Sequence, residues 1–341
     1  MLQLRKKILI LTEGGKESGL GHITRCVSIC NEFHLKGISP IFLVHGDDSV
    51  KSSLKGFEYH LVNWIEDFYE TKVLIQSSLI VLIDSMQISR AKIINISDLN
   101  THTIHIDDEK QYNIINNGFI LDWTINRADG FSLGNRKTGV TYLVGSEFTP
   151  LRPEFYNSPQ YVVKKTMKSM LITFGGSDVR NITPNVLKLL VDKFPNIEKK
   201  VVIGSGCKSI ESIYKIADEN TRITYDATAS DMVQNMHESD LAIASGGQTL
   251  YELAMIGTPT ISITLVRNAI DDNIGWNKVG FLKNIGWYSD KNLIENLDKE
   301  INKLQDYEQR KKMSKIGQFF MTGNGAKLIV KRVLKEIDGP I

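Results

Sequence analysis

Short apolar runs that do not alternate with polar residues recur along the chain, and they constrain its fold more than any other feature. In the first half they cover residues 7–11, 40–44, 79–83, 103–106 and 118–121. Strands buried on both faces of a parallel sheet carry such runs, because neither face meets water. Between them lie segments of helical period, such as residues 24–35, whose apolar side chains fall mostly on one side. This alternation predicts βαβ units and a doubly wound parallel sheet.

The same pattern restarts in the second half of the chain. Strands are predicted at residues 168–174, 200–203, 221–225, 241–244 and 260–264, with helices between them and a charged helical segment at 293–337. The chain has 341 residues, more than a single core usually accommodates. Pro150, Pro153 and Pro159 interrupt regular structure between the halves. We therefore predict an α/β protein of two Rossmann-like domains, residues 1–155 and 156–341, the second including the C-terminal helices.

Composition excludes several functional classes. Hydrophobic residues make up 42% and charged residues 23%, as in ordinary globular proteins. The net charge of +2 creates no field that would attract nucleic acid or an anionic membrane. The three cysteines cannot form a disulfide framework, and residues 8–11 are too short for a signal peptide. We expect a cytoplasmic protein with no nucleic-acid partner and no membrane insertion; its oligomeric state stays open.

A glycine-rich segment follows the first predicted strand and leads into a helix at His22. It contains Gly19 and Gly21, which permit a close approach of the backbone to a ligand. Ligands bind at the carboxyl ends of strands in such sheets, and a helix start favours an anion. The same helix dipole disfavours an imidazolium, so a neutral His22 could act as a general base. A histidine that only caps the helix or packs locally would give the same pattern.

A second glycine pair, Gly246 and Gly247, separates a predicted strand from a helix that starts near Gln248 and Thr249. Backbone N–H groups there would face a diphosphate, and the helix dipole would add attraction. Glu252 lies about one turn inside the helix, where its carboxylate could accept hydrogen bonds from ribose hydroxyls. The alternative is a capping box with Thr249 as N-cap, but it leaves the glycine pair unexplained. We favour the ligand interpretation.

A third glycine turn, with Gly175, Gly176 and Ser177, follows the first strand of the second half. A glycine pair after a strand is often only a tight turn. Its significance comes from repetition. Three glycine turns each follow a strand, so all three are expected at the carboxyl edge of a parallel sheet, where ligands bind.

Metal and cofactor signals are weak. Cys26 and Cys30 share a helix face, but no nearby histidine or cysteine completes a metal set, so core packing is the better interpretation. The chain has no P-loop motif and no Asp-x-Asp. We therefore expect no metal and no cofactor, with a helix start stabilising the diphosphate. His105, which precedes Asp107, Asp108 and Glu109, remains a possible site residue.

Taken together, the motifs resemble a known family, the UDP-2,4-diacetamido-2,4,6-trideoxy-β-L-altropyranose hydrolases of the pseudaminic acid pathway and their spore-coat polysaccharide relatives. More distantly they are similar to the lipid II-forming N-acetylglucosaminyltransferase of the GT-B superfamily. The resemblance runs through Gly19-Leu20-Gly21-His22-Ile23-Thr24-Arg25-Cys26, Val81-Leu82-Ile83-Asp84-Ser85, Ile106-Asp107-Asp108, Leu143-Val144-Gly145, Leu151-Arg152-Pro153-Glu154-Phe155, Thr173-Phe174-Gly175-Gly176-Ser177-Asp178, residues 246–252 and Leu265-Val266-Arg267-Asn268.

The resemblance implies a GT-B-like fold, with the two domains facing a cleft, and a metal-independent hydrolysis. Water would attack the anomeric carbon of a UDP-linked diacetamido-trideoxyhexose and release UDP, for nonulosonic acid or surface polysaccharide synthesis. His22 would match the catalytic histidine, and Asn268 a polar residue facing the sugar or the water. The implied substrate-binding residues are Gly19, Gly21, Arg25, Asp84, Gly175, Gly176, Ser177, Gly246, Gly247, Gln248, Thr249 and Glu252.

Three departures from the family pattern fall on the sugar side. Met86 stands where an aromatic residue is usual, Ala269 follows Asn268 in place of a glutamine, and Thr12-Glu13 replaces Arg-Ala-Asp. Two alternatives therefore stay open. A GT-B glycosyltransferase would use the same base to activate an acceptor hydroxyl, and a non-catalytic protein would only bind the nucleotide sugar.

Overall fold

A computed structural model describes residues 6–16, 19–107, 113–125 and 137–338 of the chain. Its internal contacts divide the protein into two compact units. Unit 1 comprises Met1–Leu151 and Asn324–Ile341, and unit 2 comprises Arg152–Gly323.

Unit 1 contains a parallel sheet with seven strands in the described residues. In chain order the strands are β1 (Lys7–Gly14), β2 (Ser39–Gly46), β3 (Glu58–Leu61), β4 (Ile80–Asp84), β5 (Thr103–Ile106), β6 (Gly118–Asp122) and β7 (Val140–Val144). They lie side by side in the order β3-β2-β1-β4-β5-β6-β7. The helices of this first stretch are α1 (Gly21–Leu35), α2 (Phe68–Ser77) and α3 (Arg90–Leu99).

Unit 2 repeats this architecture with six strands in its parallel sheet. The strands are β8 (Ser169–Thr173), β9 (Glu198–Ile203), β10 (Thr221–Tyr225), β11 (Leu241–Ser245), β12 (Thr260–Thr264) and β13 (Leu282–Trp287), in the order β10-β9-β8-β11-β12-β13. The helices are α4 (Pro153–Tyr156), α5 (Thr183–Lys193), α6 (Ile210–Ile216), α7 (Ala229–Glu238), α8 (Gln248–Ile256), α9 (Ile270–Val279), α10 (Leu293–Lys303) and α11 (Tyr307–Phe320).

The central strands are buried on both faces, as their lack of alternation predicts. Ile8, Leu9, Ile10 and Leu11 of β1 are at most 1% exposed, and all five residues of β8 are buried. Helices therefore cover both sides of each sheet. The predicted α/β class with two Rossmann-like parallel sheets is confirmed.

Each sheet has one point where the strand order reverses. In unit 1 the chain moves outward from β1 to β3 and then returns to place β4 on the other side of β1. In unit 2 the same return places β11 beside β8. At such a point the loops leaving the two central strands turn to opposite faces and leave a crevice at the carboxyl ends. These two crevices are where ligands bind in this class of sheet.

The observed division of the chain differs from the predicted one at its C-terminal end. The first boundary falls at residues 151 and 152, close to the predicted 155 and 156, but the last helix, α12 (Gly325–Asp338), belongs to unit 1. It packs on α1 and on the short turn Ser146–Phe148, and its apolar face is buried. A Cβ on Gly325 would lie 2.0 Å from the Thr149 carbonyl oxygen, so only glycine allows this close approach.

Within the part of the chain that the structure describes, no helix combines the length and the apolar character that crossing a bilayer requires.

The close approach of β1 and β2 predicts a sharp dependence on Gly46. A Cβ there would lie 1.8 Å from the carbonyl oxygen of Gly14, its partner in the sheet register. Because Gly14 and Gly46 are paired in neighbouring strands, the backbone cannot easily move to relieve this clash. We therefore expect Gly46→Ala to lower the free energy of unfolding by about 3 kcal/mol in urea denaturation. Gly37→Ala is the control, since its Cβ would meet no described atom within 4 Å and its φ of +76° opposes the change, costing about 1 kcal/mol. Equal losses would contradict the explanation.

Candidate functional site

The loop between β1 and α1 brings His22 to the crevice of unit 1. Gly15 and Gly19 exchange backbone hydrogen bonds of 3.1 and 2.8 Å, which hold these two residues of the glycine-rich segment together. Gly19 has a φ of +78°, a conformation that favours glycine. The helix then starts at Gly21, so His22 lies in its first turn. Glu17 and Ser18 of the predicted loop lie outside the described residues.

His22 is paired with Asp84, the last residue of β4. The His22 Nδ1 atom lies 2.7 Å from Asp84 Oδ1. Asp84 is almost completely buried, whereas the His22 side chain keeps 14% of its surface exposed. Because an ionised carboxylate only accepts hydrogen bonds, Nδ1 carries the proton. The neutral ring then has its lone pair on Nε2, the arrangement that a general base needs.

Arg25, one turn further along α1, completes the cluster. Its Nε donates to Asp84 Oδ2 at 2.7 Å, and its Nη2 donates to Asp84 Oδ1. Nη2 also lies 2.9 Å from His22 Nδ1. Guanidinium can only donate, so a hydrogen bond there would require an unprotonated Nδ1. The shorter contact with the charged carboxylate favours Nδ1–H, and we regard the Arg25–His22 approach as proximity only.

Trp123, just after β6, fixes the orientation of the Arg25 guanidinium. The Arg25 Cζ atom lies 5.2 Å from the centre of the Trp123 ring. This distance is within the range of a cation–π interaction. Sequence reasoning missed Trp123, although an aromatic residue directly after a buried strand at the carboxyl edge is a usable signal.

The charge of Asp84 results from competing effects on the pKa of its carboxyl group. Burial alone would raise the pKa of the Asp84 carboxyl, but Arg25 and then His22 lower it further than burial raises it. The net pKa is well below the ordinary value, so Asp84 stays ionised at neutral pH. Cys26 donates its S–H toward Asp84 Oδ2 at 3.4 Å, and burial, followed by the nearby carboxylate, raises the pKa of the Cys26 thiol. Cys26 is therefore a neutral thiol.

A second buried carboxylate, Glu13, holds the segment that follows Asp84. Its Oε2 accepts from Ser85 Oγ at 2.6 Å, and its Oε1 accepts from the Met86 N–H at 3.0 Å. Glu13 is 4% exposed, whereas Met86 is 45% exposed. Two of the departures from the family pattern are thus in direct contact, and Glu13 determines where Met86 stands.

In unit 2, two glycine turns follow the paired strands β8 and β11 at the crevice. Gly175 has a φ of +76° and Gly247 a φ of +97°, and a Cβ on Gly175, Gly176 or Gly247 would meet no described atom within 4 Å. These turns therefore face open space. Helix α8 begins at Gln248 with Gly247 as its N-cap, and no described side chain caps it. Thr249 is consequently inside the helix, and the predicted capping-box alternative is wrong.

The turn with Ser177 is held in place by its neighbours. Asp178 accepts hydrogen bonds from the N–H groups of Ile182 and Thr183 at 3.0 and 2.9 Å, at the start of α5. The Gly176 carbonyl accepts from the N–H of Gly206 at 3.0 Å. Asp178 is therefore occupied by the start of α5, and Gly175, Gly176 and Ser177 remain at the edge.

Asn268 lies in the short 3₁₀ turn Arg267–Ala269 after β12, and it is exposed. This turn packs on the glycine pair, because a Cβ on Gly246 would lie 2.4 Å from Ala269 Cβ. Asn273 fixes it from below by donating to the Ala269 carbonyl at 2.7 Å. The structure thus places the turn of Asn268 directly beside Gly246.

Glu252 points inward from α8 and is 5% exposed. Its Oε1 accepts from Arg152 Nη2 at 2.7 Å. Burial raises the pKa of the Glu252 carboxyl, and Arg152 reduces this rise. The sequence indicated Glu252 as a site residue but gave no sign of its partner.

His105 and Asp107 are both buried, with Nε2 and Oδ1 4.0 Å apart. Asp108 and Glu109 lie outside the described residues. Among the described residues, no group of three or more histidine, cysteine, aspartate or glutamate side chains is arranged to hold a metal ion.

Most of unit 2 matches a known protein family. Residues 170–333 match the glycosyltransferase family 28 C-terminal domain. The match begins in β8 and ends in α12, and it includes both glycine turns, Glu252 and Asn268.

Relatives with similar sequences cover most of the chain. An uncharacterized protein of Methanocaldococcus jannaschii is 28% identical over 78% of this chain and 58% of its own length. The spore coat polysaccharide biosynthesis protein SpsG of Bacillus subtilis is 25% identical, over 76% of this chain and 77% of its own. A Helicobacter pylori protein named as pseudaminic acid cytidylyltransferase and UDP-2,4-diacetamido-2,4,6-trideoxy-β-L-altropyranose hydrolase is 24% identical, over 82% of this chain and 48% of its own. The resemblance indicated by the motifs is confirmed at family level.

Solved structures confirm the fold class. MurG of Acinetobacter baumannii superimposes with a TM-score of 0.65 at 12% identity, covering 96% of this chain and 99% of its own. The complex of MnaA from Staphylococcus aureus with UDP gives a TM-score of 0.67 at 16% identity, covering 97% of each chain. The chain therefore has a GT-B-like fold.

The Asp84 cluster predicts a pH-dependent contribution to stability. Asp84→Asn removes the charge that pairs with Arg25, so we expect the free energy of unfolding at pH 7 to fall by about 3 kcal/mol. Because the pKa of Asp84 is lowered in the folded state, its stabilisation is fully present above the unfolded value, about 4, and is lost as the pH falls toward the folded value. Urea denaturation should therefore show a smaller difference between variant and wild type at about pH 3 than at pH 7.

The matched control for this change is Asp48→Asn, since Asp48 is a surface carboxylate with 75% of its side chain exposed. We expect it to leave stability nearly unchanged at both pH values. A deficit of Asp84→Asn that is the same at both pH values would contradict the assigned charge state.

Proposed function

We propose that this protein is an enzyme that binds a UDP-sugar and hydrolyses it, with His22 as the general base. The observation that carries the proposal is the His22–Asp84 contact at the crevice of unit 1, which leaves Nε2 of the partly exposed His22 ring as the basic atom. A histidine oriented by a buried carboxylate is the arrangement that removes a proton from water or a hydroxyl group.

The nucleotide is assigned to unit 2. Gly247 caps the start of α8 with open space beside it, so backbone N–H groups and the helix dipole are available to a diphosphate. Glu252 has a second carboxylate oxygen besides the one that Arg152 contacts, and it can accept from a ribose hydroxyl. The family 28 match over residues 170–333 and the UDP complex of the similarly folded MnaA support this assignment.

The proposed reaction is a displacement at the anomeric carbon of the sugar. A water oxygen forms a bond to C1 as the bond between C1 and the diphosphate oxygen breaks, and the pair of electrons leaves with UDP. The proton of the water passes to His22 Nε2, while Asp84 stabilises the imidazolium through Nδ1–H. Arg25 keeps Asp84 ionised and therefore keeps the proton on the ring. Positioning and electrostatic stabilisation of the leaving diphosphate lower the barrier.

A diacetamido-trideoxyhexose is the proposed sugar, and surface polysaccharide or nonulosonic acid synthesis the proposed context. Support comes from the activity in the name of the Helicobacter pylori relative and from the name of SpsG. Asn268, exposed beside Gly246, is assigned to the sugar or the attacking water.

A glycosyltransferase is the second candidate, and the match to a glycosyltransferase C-terminal domain favours it. In that reaction His22 would take its proton from an acceptor hydroxyl instead of water. A protein that binds the nucleotide sugar without turnover is the third possibility, because Met86 and Ala269 alter the sugar side.

Release of free UDP separates these functions. We expect the wild type to release UDP from the UDP-sugar without an acceptor, and His22→Ala to lower the rate about a hundredfold or more, because a general base is lost. Affinity for UDP, measured by calorimetry, should stay nearly unchanged. His34→Ala is the matched control, since His34 is exposed in the last turn of the same helix.

Each alternative has its own result in this assay. UDP release only after addition of an acceptor would replace the hydrolase with a transferase. Equal release by wild type and His22→Ala would remove the catalytic role from His22. UDP binding without release under any condition would identify a binding protein.

A further inference from the structure

The segment Leu151-Arg152-Pro153-Glu154-Phe155 is prominent in the sequence, yet the proposed reaction gives it no role. Arg152 is the first residue of unit 2, and Pro153 begins the short helix α4. This short helix packs against α7 and α8, and the arginine side chain that precedes it contacts a site residue. Its target is Glu252 in α8.

Arg152 is held in place on two sides. Its Nη2 donates to Glu252 Oε1 at 2.7 Å, and its Cζ lies 4.9 Å from the centre of the Phe155 ring. Phe155 is completely buried, so the ring offers the guanidinium a fixed surface. The guanidinium therefore meets one carboxylate oxygen from one side and leaves the other oxygen of Glu252 for a further donor.

This contact is not an efficient way to stabilise the fold. Arg152 Nε is buried and has no hydrogen-bond partner among the described residues. Glu252 is buried and the Arg152 side chain is 25% exposed, so both lose hydration in this pair, and a polar atom left without a hydrogen bond adds to that cost. A function for the pair would explain why such an arrangement is present.

We propose that Arg152 is a positioning residue for nucleotide binding, which holds Glu252 as a charged and oriented acceptor for the ribose hydroxyls. The inference rests on the proposed function, because it assumes that Glu252 faces the ribose of a bound nucleotide. It assigns a role to the arginine of the Leu-Arg-Pro-Glu-Phe segment. Arg152 acts through Glu252 and is not itself a catalytic residue.

The charges around Glu252 explain why it needs a cation. Burial raises the pKa of its carboxyl, Arg152 opposes that rise, and Glu154, at the start of α4, adds a smaller increase. Among the described residues these are the charged groups that act on Glu252. Without Arg152, both burial and Glu154 favour the protonated acid, which is a poorer acceptor than the carboxylate.

The experiment is calorimetric titration with UDP at pH 6, 7 and 8, using wild type, Arg152→Ala, Arg152→Lys, Glu252→Gln and the double variant Arg152→Ala/Glu252→Gln. We expect Arg152→Ala to weaken UDP binding several-fold more at pH 6 than at pH 8, because the ionised form of a carboxyl falls by up to about tenfold for each pH unit below its pKa. Arg152→Lys should restore most of the affinity, because it keeps the charge.

Glu252→Gln serves as the internal control. It reports how titration of the diphosphate alone changes the affinity with pH, since its amide does not titrate. If Arg152 acts through Glu252, adding Arg152→Ala to Glu252→Gln changes the affinity less than twofold, within the additivity error of independent sites. Circular dichroism of every variant checks that it is folded, and Arg152→Lys keeps the test informative if Arg152→Ala unfolds.

Two results would overturn the inference. Arg152→Ala could weaken binding by the same factor at every pH, or it could weaken binding in the Glu252→Gln background as much as in the wild type. Either result would give Arg152 a purely structural or an independent role. A wild type that binds no UDP at any pH would overturn the proposed function itself, together with this inference.

Discussion

The candidate chemistry of this protein depends on one buried carboxylate. Asp84 ends β4 at the reversal point of the first sheet, and its two oxygens receive His22 Nδ1–H, Arg25 Nε–H and Arg25 Nη2–H. A charge so deeply buried is tolerated only because a cation and several donors surround it. The same contacts decide which ring nitrogen of His22 carries the proton. The charge of the cluster and the tautomer of His22 thus both depend on Asp84.

The second unit handles charge in a different way. Its glycine turns at Gly175 and Gly247 present backbone and a helix start to open space, so attraction for an anion comes from peptide dipoles. At Glu252, one of its buried carboxylates, unit 2 again supplies an arginine. The two units therefore share one feature: a strand or helix at the reversal point carries an acid, and an arginine opposes the rise that burial causes in its pKa.

Much of this organisation could be predicted from the sequence, because apolar runs and glycine turns are local signals. The strands at residues 7–11 and 241–244, the helix start at His22 and the glycine pairs are each visible within a few residues. Contacts between distant residues were not predictable in this way. His22 and Asp84 are 62 residues apart, and Arg152 and Glu252 are 100 apart. Which strands become neighbours is decided by the packing of the whole sheet, and so is the return of α12 to unit 1.

Two further features could not be predicted from neighbouring residues alone. Gly247, not Thr249, caps α8, because a glycine with positive φ allows the helix to begin earlier than side-chain capping would suggest. The sequence pattern indicates a loop at Glu13, but because β1 and β4 are neighbours, Glu13 accepts hydrogen bonds from Ser85 and Met86.

The central claim, that Asp84 holds the proton of His22 on Nδ1, is tested most directly by long-range ¹H–¹⁵N NMR of protein labelled with ¹⁵N-histidine. For the neutral form of the ring, the account predicts hydrogen on Nδ1 and a lone pair on Nε2, and a neutral ring with hydrogen on Nε2 and none on Nδ1 would contradict it.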